Sequence, residues 1–297
     1  MKTPRDTVLE LLMRIEIGGA FADRVLASRD LDRHDPRDRA FIREIVYGVM
    51  RWKLRLDRII CSYYTKSAEN LSPLVHMILR IGLYQMMFMS VPAHAAVHES
   101  VEMAASAQGS GAGGLVNALL RRFQREGEPD MPTDKIARLS AEHSFPEWIV
   151  RGWAASFGTD ETKNILRAGN ERHPVYVYAN PLMGTVSDLT GRLQDLGFCG
   201  EPVGWMPGYI AIREAEGFFS SDIFKEGYFI AQDPAAGIAA LLLDPLPGMR
   251  VIDLCAAPGG KTVNIAAMMS DMGTVVALDL HSGRSGLVQG TASKLGL

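Results

Sequence analysis

From Thr3 to about residue 125 the apolar positions recur at helical spacing, so this stretch reads as helices throughout. Val8, Leu9, Leu12 and Ile15 form one stripe. Thr3-Pro4 opens it as N-cap and first helical residue, and Gly18-Gly19 closes it. Asp35-Pro36 repeats the start signal for a segment with Phe41, Ile45, Val46 and Val49 on one face. Ser72-Pro73 opens a third helix through Leu79, Leu83 and Met87, and two more are expected around residues 94–106 and 115–125. EGEPDMPTDKIARL at 126–139 is polar with two prolines and reads as a linker, bounded as a domain junction at 129–142.

Beyond the linker the period changes. HSFPEWIVRGWAASFG at 143–158 predicts a helix entered at Phe145-Pro146, with Trp148, Ile149 and Trp153 available for burial. Residues 175–178 and 209–212 predict strands, with a helix over 186–196 ending at Gly197. Asp233-Pro234 opens a further helix, Asp233 as its cap, with Gln232 and Asp233 as candidate floor residues of a site above it.

The most informative stretch is RVIDLCAAPGGKTVNIAAMMSDMGTVVALD, residues 250–279. Val251 to Leu254 is a short apolar run between Pro247-Gly248 and Pro258-Gly259-Gly260, which leaves room for a strand buried on both faces but not for a helix. Helical spacing returns over 261–269, and 274–280 makes a second apolar run, so the two strands are expected to pair in parallel. Paired glycines let the backbone turn sharply, and the free N–H groups of the next helix suit an anionic group. Asp279, closing the second strand, is placed to accept from ribose hydroxyls. A packing turn and a solvated carboxylate are the alternatives; together, at this spacing, the two features favour a site. Neither G-x-G-x-x-G nor the phosphate-loop pattern is present, so dinucleotide and phosphate-loop readings fall away.

Composition is that of a globular protein. The chain has 297 residues, 47% hydrophobic and 22% charged, enough for about two or three domains. No apolar run reaches membrane-spanning length and the charged N-terminus has no signal-peptide core, so a cytoplasmic location is expected. Cys61, Cys199 and Cys255 lie far apart, with neither metal-type nor disulfide spacing. His94 and His98 stand one helical turn apart without a third ligand, so no metal is expected. The net charge of −3 is unevenly placed: residues 1–125 carry 18 Lys/Arg against 13 Asp/Glu, and 126–297 carry 13 against 21. A basic first part is compatible with RNA binding. The candidate contacts are Arg51, Lys53, Arg55, Arg58, Arg121, Arg122 and Arg125, with Tyr47 or Trp52 as stacking surface. The competing explanation for each is a cation at a helix C-terminus.

Asp253 to Thr262, DLCAAPGGKT, resembles the S-adenosylmethionine motif of the RNA 5-methylcytosine methyltransferases, the bacterial Sun/RsmB and eukaryotic Nop2/NSUN group. The resemblance implies that Cys255, Ala256, Ala257, Pro258, Gly259, Gly260 and Lys261 wrap the methionine and ribose part of S-adenosylmethionine, that Asp279 binds the ribose, and that Lys261 pairs with the methionine carboxylate. DRAFIREIVYGVMRW at 38–52, VPAHAAVHESVEMA at 91–104 and GLVNALLRRF at 114–123 resemble the NusB-like RNA-binding domain of the Sun/RsmB subgroup. The α+β segment resembles the small RNA-recognition-like domain that precedes the family's catalytic domain. It departs at one place: the family's R-x-N signature has an arginine where Tyr178 precedes Asn180.

The expected architecture is multidomain. It comprises an all-α NusB-like domain (1–128), a linker (129–142), a small α+β domain (143–226) and the start of an α/β Rossmann-like class I methyltransferase sheet (227–297). The implied reaction is methyl transfer to carbon 5 of cytosine in small-subunit ribosomal RNA. Carbon 5 is a poor nucleophile, so the family adds a cysteine thiolate to carbon 6, removes the carbon 5 proton after methylation and releases the thiolate. The family's working cysteines sit in Pro-Cys or Thr-Cys loops well past the ribose-binding carboxylate. None of the three cysteines here does, so no catalytic residue is assigned, and the catalytic cysteines are expected beyond Leu297, in a fragment inactive alone. The partner expected is ribosomal RNA, with no membrane and a monomeric chain. Two other readings stand beside this one: a non-catalytic RNA-binding or ribosome-assembly protein keeping the helical module, and a methyltransferase of another substrate class.

Overall fold

The computed structural model describes residues 2–26, 28–64, 71–213 and 217–297, in two compact units, Met1–Glu171 and Arg172–Leu297. The first is helical: α1 (Pro4–Glu16), α2 (Ala22–Leu26), α3 (Pro36–Arg51), α4 (Lys53–Tyr63), α5 (Pro73–Phe88), α6 (Ala93–Gln108), α7 (Ser110–Glu126), α8 (Lys135–His143), α9 (Glu147–Phe157) and α10 (Thr159–Asn170). The expected start signals act as caps. Thr3 accepts from the Asp6 N–H while Asp6 accepts from the Thr3 N–H, and Asp35 and Ser72 each accept three residues on.

α5 is apolar around most of its circumference because it is enclosed; Ile78, Leu79 and Ile81 are fully buried among Leu11, Ile42, Ile45, Leu56 and Ile59. Each such side chain contributes about 2 kcal/mol of apolar transfer. The one charge buried on α5, Arg80, is neutralised by Asp57, whose carboxylate accepts from Arg80 Nε at 2.6 Å and Nη2 at 2.8 Å and lies 2.8 Å from His76 Nε2. α6 and α7 run longer than their apolar spacing indicates and meet at Gly109, whose φ of 87° turns the chain between them.

The segment expected as a linker carries α8. Asp134 caps it, and Ile136 and Leu139 pack with Val150 and Leu166, so an i, i+3 apolar pair among polar residues was enough to fold it. On α9 it is Val150 that is fully buried, with Trp153 partly buried, whereas Trp148 is 75% exposed and Ile149 half-buried. α10, with only Thr162 and Leu166 buried, has too sparse an apolar face to register in the sequence.

The second unit holds β1 (Val175–Ala179), α11 (Val186–Asp195), β2 (Gly200–Pro202), β3 (Tyr209–Ile212), α12 (Asp222–Lys225) and β4 (Phe229–Ala231). There follow α13 (Pro234–Leu243), β5 (Arg250–Asp253), α14 (Gly260–Met268), β6 (Thr274–Ala277) and α15 (Ser282–Lys294). The first four strands form an antiparallel sheet in the order β2-β3-β1-β4, with Val175 opposite Ile212 and Val177 opposite Ala231. Its core is Val177, Leu189, Leu193, Ile210, Ile212, Phe218 and Phe229.

β5 and β6 pair in parallel, Arg250 opposite Thr274 through Asp253 opposite Ala277. The expectation of strands buried on both faces is corrected. Val251 and Val275 pack with Ala240, Ile265 and Met269 of the helical layer, whereas Ile252 is 64% exposed and Val276 also faces outward. Among the described residues, helices cover one face of this pair, so alternation replaces double burial. Asn180 fastens the end of α15 to the antiparallel sheet. Its Nδ2 donates to the carbonyls of Gly227 at 2.9 Å and Leu295 at 3.0 Å, and a Cβ at Gly227 would collide with the Lys294 carbonyl.

Candidate functional site

The turn between β5 and α14 is built by backbone and by two aspartates. The parallel ladder continues past the strands, with Leu278 N–H donating to Asp253 O at 2.8 Å and Ala256 N–H to Leu278 O at 2.9 Å. The chain then crosses the cis Ala257-Pro258 bond to Gly259, whose φ of 111° favours glycine and whose Cβ would approach Val288 Cα to 3.0 Å. Asp253 clasps strand to helix: Oδ1 accepts from the Cys255 N–H at 3.3 Å and Oδ2 from Thr262 Oγ1 at 2.7 Å. An aspartate ending a strand nine residues before a threonine in the next helix is the signal for this pair, which sequence reasoning passed over.

Asp279 lies where the second strand was expected to place it. Oδ2 accepts from the Ala257 N–H at 3.1 Å and Oδ1 from the His281 N–H at 3.1 Å. The His281 hydrogen bond, with those of Ala257 and the nearby Arg284 charge, holds its carboxyl below the usual range, so the group is ionised at neutral pH. Thus Asp279 and the turn from Cys255 to Lys261 come together through Ala257. Cys255 and Lys261 are exposed, Ala256 is buried, and the first N–H groups of α14 have no acceptor within the helix. Beside the turn, between β6 and α15, Asp279 and Thr262 line a cleft of about 290 Å³ with Ser285, Val288 and Gln289. Asp233 caps α13 by accepting from the Ala235 N–H at 2.8 Å, and Gln232 lies against Gly260.

The basic candidates separate. Arg55 is enclosed in the helical unit: Nε and Nη2 donate to Glu128 at 2.8 and 2.6 Å, Nη1 donates to the Glu142 carbonyl at 2.9 Å, and the guanidinium packs over Trp52 and Phe88. Arg58 donates to the carbonyls of Pro129 and Asp130, Lys53 pairs with Glu16 at 2.6 Å, and Arg122 pairs with Glu126 and covers the Tyr63 ring. These four hold the unit together. Arg51, Arg121 and Arg125 are exposed; Arg121 reaches only Gln124, on its own helix, in the contacts of the described residues. Trp52 is stacked on Phe88 at 4.6 Å, which leaves Tyr47, 46% exposed, as the free ring. Tyr178, in the place of the arginine of R-x-N, is buried against Tyr209. The three cysteines are free and exposed, and no metal-type cluster occurs among the described residues.

Comparison with known proteins divides the chain in three. The NusB family profile matches residues 2–125, the Methyltr_RsmF/B-like ferredoxin-like domain matches 145–216, and 16S rRNA methyltransferase RsmB/F matches 240–297. The probable ribosomal RNA small subunit methyltransferase B of Bacillus subtilis (strain 168) is 32% identical over 99% of this chain and 66% of its own length. The corresponding Synechocystis protein is 31% identical over 100% and 68%, and the ribosomal RNA small subunit methyltransferase B of Pseudomonas putida 31% over 99% and 67%. The chain therefore spans about two thirds of the length of these curated relatives. The crystal structure titled PH0851 superposes with a TM-score of 0.77 at 24% identity, over 100% of this chain and 68% of that one, which establishes likeness of fold. A methyltransferase homologue from Pyrococcus horikoshii aligns at 26% identity and a TM-score of 0.50 over 56% of this chain and 54% of that one.

Proposed function

The chain belongs to the family of ribosomal RNA small subunit methyltransferase B, and from that membership we propose that its second unit holds S-adenosylmethionine for methyl transfer to ribosomal RNA. The observation that carries this reading is the meeting of an ionised strand-end carboxylate, Asp279, with a glycine turn whose following helix offers unpaired N–H donors. The residues fit the group. The missing side chains of Gly259 and Gly260 let Val288 and Gln232 pack against the turn and hold its shape, and Asp279 keeps lone pairs for ribose hydroxyls. Cys255 to Lys261 form the wall of the site, and Lys261 supplies a cation at the start of α14. When bound, S-adenosylmethionine supplies an electrophilic methyl group.

The finer reading is transfer to carbon 5 of cytosine through a cysteine-covalent intermediate. Cys61, Cys199 and Cys255 are given no nucleophilic role: Cys61 lies on α4, Cys199 precedes β2, and Cys255 belongs to the turn itself. For RNA, the reading assigns Arg51, Arg121 and Arg125, with Tyr47 as stacking ring, because these are exposed while Lys53, Arg55, Arg58 and Arg122 are engaged within the helical unit. The location proposed is the cytoplasm, where ribosomal RNA is found.

The test is equilibrium binding of methyl-labelled S-adenosylmethionine to the chain and, for transfer, incubation of a protein extended to the full length of the curated relatives with unmodified small-subunit ribosomal RNA and digestion to nucleosides. Retained label bears out the cofactor site, and label in 5-methylcytosine bears out the finer reaction. Label in protein or in another base contradicts it.

A further inference from the structure

The Tyr209 hydroxyl on β3 donates to Gln232 Oε1 at 2.6 Å and accepts from Asn264 Nδ2, on α14, at 2.9 Å. Asn264 is buried, and its Oδ1 meets no donor. This polarity is the cheaper of the two available. Reversal would leave both amide hydrogens of Asn264 unpaired in the interior, and an orphaned buried donor is rarer than an under-used carbonyl. With the Tyr209 proton directed at Oε1, the Gln232 carboxamide has one orientation, its Nε2 turned away from Tyr209.

That Nε2 stands at the first residue of α14: a Cβ built on Gly260 would lie 2.9 Å from it. The peptide N–H groups of this first turn carry partial positive charge and have no acceptor within the helix. A further donor beside them has the same sign, so an anionic acceptor placed between would be drawn to both. Gly237 belongs to the same arrangement, since a Cβ there would fall 2.1 Å from the Tyr209 oxygen.

Resting on the reading of the turn as an S-adenosylmethionine site, we infer that Gln232 is a binding residue for the ligand's carboxylate. Its Nε2 donates to that group, and Tyr209 and Asn264 are positioning residues that fix the amide. Lys261 balances the charge from the exposed side of the helix start.

The experiment is calorimetry on the full chain with two ligands, S-adenosylmethionine and 5′-methylthioadenosine, which lacks the amino-acid carboxylate. Gln232→Glu keeps an acceptor for Tyr209 but replaces the donor with an anion. Affinity for S-adenosylmethionine is expected to fall at least about tenfold while that for methylthioadenosine stays unchanged. Gln232→Met, similar in shape and without a donor, is expected to show the same selective loss at smaller size. Tyr209→Phe, which frees the amide to rotate, is expected to give a selective loss that an added structural defect would not produce. Equal loss for both ligands, or loss for neither, in a variant that melts with the wild type overturns the role of Gln232. Failure of the wild-type chain to bind either ligand overturns the cofactor reading beneath it.

Discussion

At the scale of single residues, the sharpest case is Asp57. Burial pushes its carboxyl up, but the hydrogen bonds and charges of His76 and Arg80 together outweigh burial and hold it below the usual carboxylate range. A folded-state value below the unfolded one means that the unfolded chain takes up protons first as pH falls. The stabilisation is therefore fully present above about pH 4 and lost as pH drops through the folded value. Asp57→Asn should cost about 3 kcal/mol at neutral pH by leaving Arg80 without its main partner, and the gap to wild type should close on acidification. Urea unfolding from pH 7 to pH 3 reads both. None of this is legible in the sequence, because nothing in the spacing of Asp57, His76 and Arg80 distinguishes an interior ion pair from solvated charges on two helices. Arg55 and Arg58 illustrate the same limit. Their type makes them candidate RNA contacts, while their partners in the structure, Glu128, Glu142, Pro129 and Asp130, lie in a stretch whose sequence reads as linker. Asp279, by contrast, was legible, because a strand end and a glycine turn fix its place through backbone geometry alone.

At the scale of elements, caps and periodicity carried most of the information. Thr3-Pro4, Asp35-Pro36 and Ser72-Pro73 each opened the helix they announced, and the parallel pairing of β5 with β6 followed from the spacing of two apolar runs around a turn. What escaped was short or sparsely apolar. α8 rests on Ile136 and Leu139, α10 on Leu166, and β2 and β4 are three residues each, too brief for alternation to register. Helix packing at this scale has a direct check. A Cβ at Gly48 of α3 would lie 1.9 Å from the Tyr84 ring, which cannot retreat because it stacks near Phe88 and its hydroxyl donates to Glu44. Gly48→Ala should therefore destabilise the chain by about 3 kcal/mol. Gly114 of α7 faces open space, and Gly114→Ala should be neutral or stabilise by up to about 1 kcal/mol. Thermal melts of the two variants should move in opposite directions or by clearly different amounts.

At the scale of the whole molecule, the uneven charge acquires meaning once engaged and exposed cations are told apart. Residues 1–125 carry an excess of five positive charges, yet Lys53, Arg55, Arg58 and Arg122 are committed to carboxylates, carbonyls and rings within the helical unit. Reversing Arg51, Arg121 and Arg125 together to Glu should lower RNA affinity and reduce the slope of log affinity against log salt by about 2. Arg55→Ala should lower the melting temperature and leave that slope in place. A filter-binding salt series with small-subunit ribosomal RNA separates the two outcomes.

Cofactor binding requires the turn after β5 and the carboxylate after β6 to act as one receptor. Calorimetric titration of S-adenosylmethionine into the chain and into Asp279→Ala examines that dependence without requiring catalysis. Saturable one-site binding is expected in the wild type, with at least about a tenfold loss of affinity in the variant. Equal affinity for the two proteins, or no heat of binding to the wild type, would contradict it.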